Sequence, residues 1–281
     1  MRAAGLAGGE TETAAESEGM TTIDGRPVRL DAFHGGGFAV FQPKGWGYRS
    51  GLDAMLLAAC VAPDFDGRIA DLGAGSGVVG LAAAFRAPAA AVTLAEAQPI
   101  MAMLCRHSLA LPQNAALVAR LSIAEIDIGA GRPAREAAGL CDSAFDLVLT
   151  NPPFHPANHR RPPDPVRDKA LFAENGMSLD RWFAIAAALL APKGRLVTVL
   201  RADRLGEVLQ ALEPRLGAVT VLPVHTRTGA PAERVLVAAR QGTRAPLRLL
   251  EGIALDDGAG RPTELSEQIA GGIATLALAE M

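Results

Sequence analysis

Residues 67–80 read GRIADLGAGSGVVG: an apolar strand that ends on an acid, a loop with three alternating glycines, and the first turn of a helix. The strand is apolar throughout rather than at every second position, the pattern of a parallel strand covered by helices on both faces. The same unit recurs downstream. AAVTLAE (90–96) is a strand and PIMAMLCRHSLAL (99–111) a helix; ALVARLSIAEID (116–127) and AFDLVLTN (144–151) supply two more strands. SLDRWFAIAAALLAP (178–192) is a helix stopped by Pro192 and Gly194, RLVTVLR (195–201) a fifth strand, and DRLGEVLQALEP (203–214) another helix. The last two strands, AVTVLPVH (218–225) and ERVLVAAR (233–240), have only TRTGAPA between them, so the final strand returns antiparallel beside its neighbour. The expected architecture is α/β and Rossmann-like: a seven-stranded, mostly parallel sheet with an antiparallel last strand and helices on both faces.

Upstream of this core, RPVRLDAF (26–33) and GFAVFQP (37–43) form a hairpin turned by the glycines after His34, and SGLDAMLLAACVAP (50–63) is a helix with a Ser50 cap. The expected divisions are an acidic, small-residue tail over 1–21, with Met20 as a possible functional start, and a hairpin and helix over 22–62. The sheet core follows over 63–255, and an extension over 256–281 closes on a helix.

Composition narrows the function. The chain has 281 residues, 49% of them hydrophobic, enough for a sizeable core. Its 27 Lys and Arg face 30 Asp and Glu, so the net charge of -3 carries no global basic footprint, and a polyanionic partner would have to meet a local patch. Cys60, Cys105 and Cys141 are an odd, scattered set without CxxC, which points away from a disulfide framework or a zinc site and toward a reducing, cytoplasmic compartment. No apolar run approaches the length of a membrane span, and the N-terminus turns acidic before any leader-like region develops.

In an open parallel sheet the ligand sits at the carboxyl ends of the strands, where the strand order reverses. Gly75-Ser-Gly77-Val-Val-Gly80 matches the dinucleotide fingerprint G-x-G-x-x-G, with Glu96 about 20 residues on, and by itself suggests a nicotinamide enzyme. That match is out of register, because Asp71 and Gly73 already occupy the strand end and Val78 is already helical. D-x-G-x-G-x-G from Asp71 fits better, and it is the signature of S-adenosylmethionine sites: the strand-end acid meets the ligand's ammonium and the next acid, Glu96, takes both ribose hydroxyls. Asp127, after the third strand, falls where the adenine amino group is contacted.

Asn151-Pro152-Pro153-Phe154 stands at the end of the fourth strand, beside the first and facing the methyl donor. Methyl transfer to an exocyclic amine is difficult because the nitrogen lone pair is delocalised into the ring. Two acceptors aimed at its N–H bonds favour a more tetrahedral nitrogen. Asn151 Oδ1 and the Pro152 carbonyl, held still by Pro153, suit that task, and Phe154 suits stacking on a planar base.

DLGAGSG followed by NPPF resembles the class I methyltransferases of exocyclic amino groups. FQPKGWGYRSGLDAMLLAA (41–59), LRADRLGEVLQAL (200–212) and PVHTRTGAPAERVLVAARQGTRAPLRLL (223–250) resemble the bacterial tRNA1(Val) adenine-N6 methyltransferase family, over about residues 22 to 255. The resemblance implies S-adenosylmethionine as cofactor and, as partner, a tRNA whose adenine 3′ of the anticodon is methylated at N6. It implies Gln42, Tyr48, Arg49 and Asp53 closing over the cofactor, with Asp71, Gly73, Ala74, Gly75, Gly77, Glu96, Ala97 and Asp127 around it. Asn151 to Phe154 would be the catalytic loop, with Asn151 also touching the cofactor. Phe154-His155 departs from the Tyr common in that family, and NPPFH also occurs in ribosomal RNA guanine-N2 methyltransferases, an alternative acceptor class. Release-factor glutamine N5-methyltransferases, with a related NPPY loop, are another.

For gripping RNA the candidates are Arg160, Arg161, Arg201, Arg204, His225 and Arg227, expected on the loop side of the sheet. His155 and His159 are spaced i, i+4, but Pro156 interrupts any helix there and no Glu accompanies them, so no metal is expected.

Overall fold

A computed structural model describes residues 21–153, 162–171 and 177–278. The N-terminal segment makes a small antiparallel sheet of β1 (Thr22–Ile23), β2 (Arg26–Phe33) and β3 (Phe38–Pro43). β2 and β3 pair from Phe33↔Phe38 to Val28↔Pro43, and the reversal uses positive φ at Gly35 and Gly36. α1 (Leu52–Ala59) follows. Its N-cap is Gly51 rather than Ser50. Ser50 is engaged elsewhere: its N–H donates to Gln42 Oε1 at 2.8 Å and its carbonyl accepts from Gln42 Nε2 at 3.1 Å.

The core then alternates. β4 (Arg68–Leu72), α2 (Val78–Arg86), β5 (Ala91–Glu96), α3 (Pro99–Leu109), α4 (Ala115–Val118), β6 (Leu121–Glu125), α5 (Arg132–Ala137) and β7 (Phe145–Thr150) build one half. α6 (Pro165–Leu171), α7 (Leu179–Leu189), β8 (Leu190–Arg201), α8 (Leu205–Leu212), β9 (Leu216–His225) and β10 (Ala232–Gln241) build the other. The expected strand over 116–127 is shorter than its sequence run, because residues 115–118 coil into α4 before β6 begins.

Among the described residues the main sheet runs β6-β5-β4-β7-β8-β10-β9, with β10 antiparallel to both its neighbours, as the missing crossover helix requires. It has nine strands rather than seven. β11 (Arg248–Leu249) and β12 (Ile253–Ala254) pair in parallel with β9, drawn from a stretch too short and mixed to read as strands. α9 (Glu264–Ala270) is the helix expected near the C-terminus, capped by Thr263 Oγ1 accepting from Ser266 N.

Core side chains cover both faces of the sheet. Ile69, Leu94, Leu149 and Val197 pack with α1 and α2 on one side, and Leu72, Val148, Leu196 and Phe183 pack together on the other. The small sheet is tied on by polar bonds: Asn114 Oδ1 accepts from Ala39 N, its Nδ2 donates to Ala39 O, and Ser108 Oγ accepts from Phe41 N. The segment after α9 is strapped down by buried Arg86, which donates to Val61 O, Gly272 O and Thr275 Oγ1. No helix among the described residues is long and apolar enough to cross a membrane.

Candidate active site

The strand order reverses between β4 and β7, and the carboxyl ends of these strands and their neighbours open into a cavity of about 450 Å³, in the range of small-molecule sites. Asp71, Gly73, Ala74, Gly75, Glu96, Ala97, Asp127, Asn151, Pro152 and Pro153 all line it, as do Tyr48 and Asp53. Gly73 and Gly75 turn at φ of 75° and 59°, so the loop presents bare backbone to the cavity, as the sequence motif demands.

Glu96, 7% exposed, closes the end of β5. Its Oε2 accepts from Gly75 N at 2.7 Å and its Oε1 from Gln98 N at 2.8 Å, which fixes the carboxylate at the cavity wall. Asp71, 1% exposed, accepts from Gly80 N at 3.0 Å through Oδ2. Burial, reinforced by the Glu96 charge and opposed by the Gly80 bond, pushes its carboxyl up to about 7. Asp127 Oδ1 accepts from Gly129 N at 2.8 Å.

Thr150, last in β7, donates its hydroxyl to Leu72 O at 2.9 Å and accepts from Trp182 Nε1 at 3.1 Å. Asn151 follows immediately, and two residues without N–H groups follow Asn151. The Asn151 side chain hydrogen-bonds to Tyr48, whose hydroxyl is raised by burial and by the Asp53 carboxylate and pulled back by Arg234, Asn151 and Arg167. Asp53 accepts from Arg234 Nε at 2.5 Å, joining the first turn of α1 to the start of β10 across the cavity.

Three expected cofactor residues stand behind the wall. Gln42, wholly buried, spends its amide on Asp31 and on Ser50, and Arg49 is an ion-pair partner of Asp31, so both shape the approach to Gly51 rather than line the cavity. Gly77 is set by packing, because a Cβ there would stand 2.6 Å from Cys105 Sγ. Gly80 is similar, at 2.3 Å from Leu94 Cδ2, so it too serves close helix–sheet contact.

Of the RNA candidates, Arg201 and Arg204 line the cavity. His225 and Arg227 do not; His225 Nδ1 lies 2.7 Å from Ala230 O, and Arg227 is exposed on the loop after β9. Phe154, Arg160 and Arg161, with His155 and His159, fall outside the described residues. Sequence reading missed Trp182, Arg167 and Arg234, which also line the cavity. Arg234 carried no sequence signal, since Glu233 and Arg240 share its strand and its partner Asp53 lies in the first turn of α1.

The cavity fits S-adenosylmethionine: two strand-end acids suit its ammonium and ribose, and side-chain-free glycine backbone admits close approach. This fold and site define a class I S-adenosylmethionine-dependent methyltransferase. The chain belongs to the methyltransferase small domain family, which matches residues 50–227, and within it to the tRNA1(Val) (adenine(37)-N6)-methyltransferases. It is 32% identical over 197 residues to the protein of that name from Porphyromonas gingivalis, covering 68% of this chain and 74% of that one. With the Aeromonas hydrophila protein of the same name it shares 32% over 204 residues, 68% of this chain and 76% of that one. A crystal structure of a predicted O-methyltransferase from Agrobacterium tumefaciens superposes with a TM-score of 0.68 at 35% identity, over 80% of this chain and 98% of that one.

Proposed function

We propose that the enzyme methylates the exocyclic N6 amine of an adenine in tRNA, at the position 3′ of the anticodon in a valine-type tRNA, in the cytoplasm. The observation that carries the reading is the place of Asn151: on the end of β7, at the cavity wall, with its amide engaged by Tyr48. S-adenosylmethionine supplies an electrophilic methyl group when bound. Asp71 would meet its ammonium, Glu96 its ribose hydroxyls and Asp127 its adenine.

The acceptor side is handled by the loop. Asn151 Oδ1 and the Pro152 carbonyl accept from the two amino N–H bonds, drawing the nitrogen toward tetrahedral geometry and directing its lone pair into the cavity. No strong base is needed, because the proton departs after the nitrogen has become cationic. Phe154 is assigned to stacking on the extruded base, a contact worth about 1–3 kcal/mol, similar to the cost of extrusion.

The test is incubation of the protein with S-adenosylmethionine and, in parallel, unmodified bulk tRNA, ribosomal RNA and release factor, read by nucleoside and peptide mass spectrometry. N6-methyladenosine in tRNA alone is expected. N2-methylguanosine in ribosomal RNA or methylglutamine would keep the catalytic loop and overturn the substrate.

A further inference from the structure

The charges on the cavity wall are largely sorted by side, Asp53, the ion-pair partner of Arg234, being the acid that stands among the arginines. Asp71, Glu96 and Asp127 stand at the ends of β4 to β6 and in the loop after β6, whereas Arg167, Arg201, Arg204 and Arg234 stand on α6, at the end of β8 and at the start of β10. The acidic side suits a cationic methyl donor. The arginine side lies beyond Asn151, where the acceptor enters.

Building this side costs folding energy. Arg201 and Arg234 are direct partners in the β8–β10 ladder, and like charges placed opposite one another destabilise a sheet. Arg204, with a side chain only 14% exposed, has a buried Nε without a hydrogen-bond partner among the described residues. The acids that pair with Arg201 and Arg204 are Asp203 at 2.8 Å and Glu207 at 2.6 Å, and neither lines the cavity. They hold the guanidiniums from behind and leave donors for something in front. A guanidinium offers five donors in a fork that matches phosphate oxygens.

We propose that Arg167, Arg201, Arg204 and Arg234 form a phosphate-binding rim that takes the phosphodiester backbone of single-stranded RNA on either side of the target base. This deepens the tRNA reading and rests on it. The rim also accounts for a net-acidic protein acting on a polyanion: the positive field is confined to the acceptor side of one cavity. Only an extruded, single-stranded nucleotide brings its phosphates to the rim and its base to Asn151 together.

The experiment is equilibrium binding of unmodified tRNA to the full-length protein saturated with S-adenosylhomocysteine, titrated over potassium chloride, for the wild type and the Arg167→Ala/Arg201→Ala double variant. Both arginines are exposed, so the fold should survive their loss. Each lost phosphate contact to a single strand lowers the slope of log affinity against log salt by about 0.7, so the double variant should lose about 1.4 and bind roughly tenfold or more weakly at low salt. Arg204→Gln, tested alone, should lose about 0.7. Its affinity for S-adenosylhomocysteine, and that of the double variant, should stay within twofold of the wild type. Unchanged slopes would overturn the rim. Weakened S-adenosylhomocysteine binding with normal tRNA binding would assign the arginines to the cofactor's carboxylate instead. Because binding is read without turnover, a wild type that binds tRNA through the rim yet makes no N6-methyladenosine would sink the proposed reaction and leave the rim standing.

Discussion

The indole of Trp182 donates to the hydroxyl of Thr150 at 3.1 Å, and that hydroxyl donates onward to Leu72 O at 2.9 Å. One buried side chain thus ties α7, β7 and β4 together at the residue that precedes Asn151. The carboxyl ends of β4 and β7 cannot slide past one another without breaking the bond to Leu72 O, nor can α7 shift on β7 without breaking the bond from Trp182. Thr150→Val keeps the shape and β-branching but removes both hydrogen bonds, at about 0.5–1.5 kcal/mol each. Denaturant unfolding should report that loss, and kcat should fall as the loop loses its anchor. Thr150→Ser should restore most of both.

Asn151 is expected to act on the acceptor and not on the donor's affinity. Asn151→Ala should lower turnover by about 100-fold or more, the scale of removing one preorganised partner from a reacting group. S-adenosylhomocysteine binding by calorimetry should stay within a fewfold. Tyr48→Phe removes only the hydroxyl that engages the amide, and should cost about tenfold in kcat with little change in Kd. An active Asn151→Ala enzyme would refute the mechanism.

Asp71 makes stability and cofactor affinity respond to pH in opposite senses. Its folded carboxyl titrates near 7 against an ordinary 3.8, because it is fully buried and faces Glu96, with only the Gly80 bond opposing; nearby Cys105 stays neutral, its thiol pushed up to about 12. The folded state therefore holds a proton that the unfolded chain has released, so the Asp71 contribution to stability falls as pH rises from about 4 to about 7 and is level above that. A ligand ammonium placed against Asp71 favours the ionised carboxylate. S-adenosylhomocysteine should bind more tightly at pH 8 than at pH 6 and release protons below pH 7, seen as a dependence of calorimetric enthalpy on buffer. Asp71→Asn should flatten both slopes and bind more weakly at pH 8.

The parts of this molecule that were legible in sequence are those with local causes. A continuous apolar strand, an acid and glycines needing positive φ specify the β4–α2 turn, and the missing helix between β9 and β10 specifies an antiparallel return. Gln42 and Arg49 were expected over the cofactor but brace Asp31 and Ser50, because a buried amide is claimed by whichever backbone the tertiary fold brings beside it. Ser50 does not cap α1 because the helix begins one residue later, with Gly51 at the N-cap. Arg234 was silent because its partner, Asp53, is 181 residues away, and no spacing rule links a helix start to the seventh strand of a sheet. β11 and β12 were silent because two-residue strands take their pairing from the edge of β9, not from their own pattern.

Glu96 gives the sharpest test of the donor side, since it anchors the protein and, in the proposed reading, the ligand as well. Its carboxylate accepts from Gly75 N and Gln98 N, so it holds both the glycine loop and the entry to α3 at the cavity wall. Glu96→Ala removes the acceptors proposed for the ribose and releases two backbone N–H groups, and charge-assisted bonds of this kind contribute about 1.5–3 kcal/mol each. Loss of one such bond's worth of ligand affinity corresponds to roughly 10- to 150-fold in Kd for S-adenosylhomocysteine. Glu96→Gln separates the two duties. A glutamine can still accept from one backbone N–H through its carbonyl, but it turns an NH2 toward the other. The loop should be partly retained, with a thermal midpoint between those of Glu96→Ala and wild type, while affinity drops because one ribose hydroxyl meets a donor in place of an acceptor. Equal midpoints with unequal affinities would assign Glu96 to the ligand alone; unequal midpoints with wild-type affinity in Glu96→Gln would remove it from the ribose site.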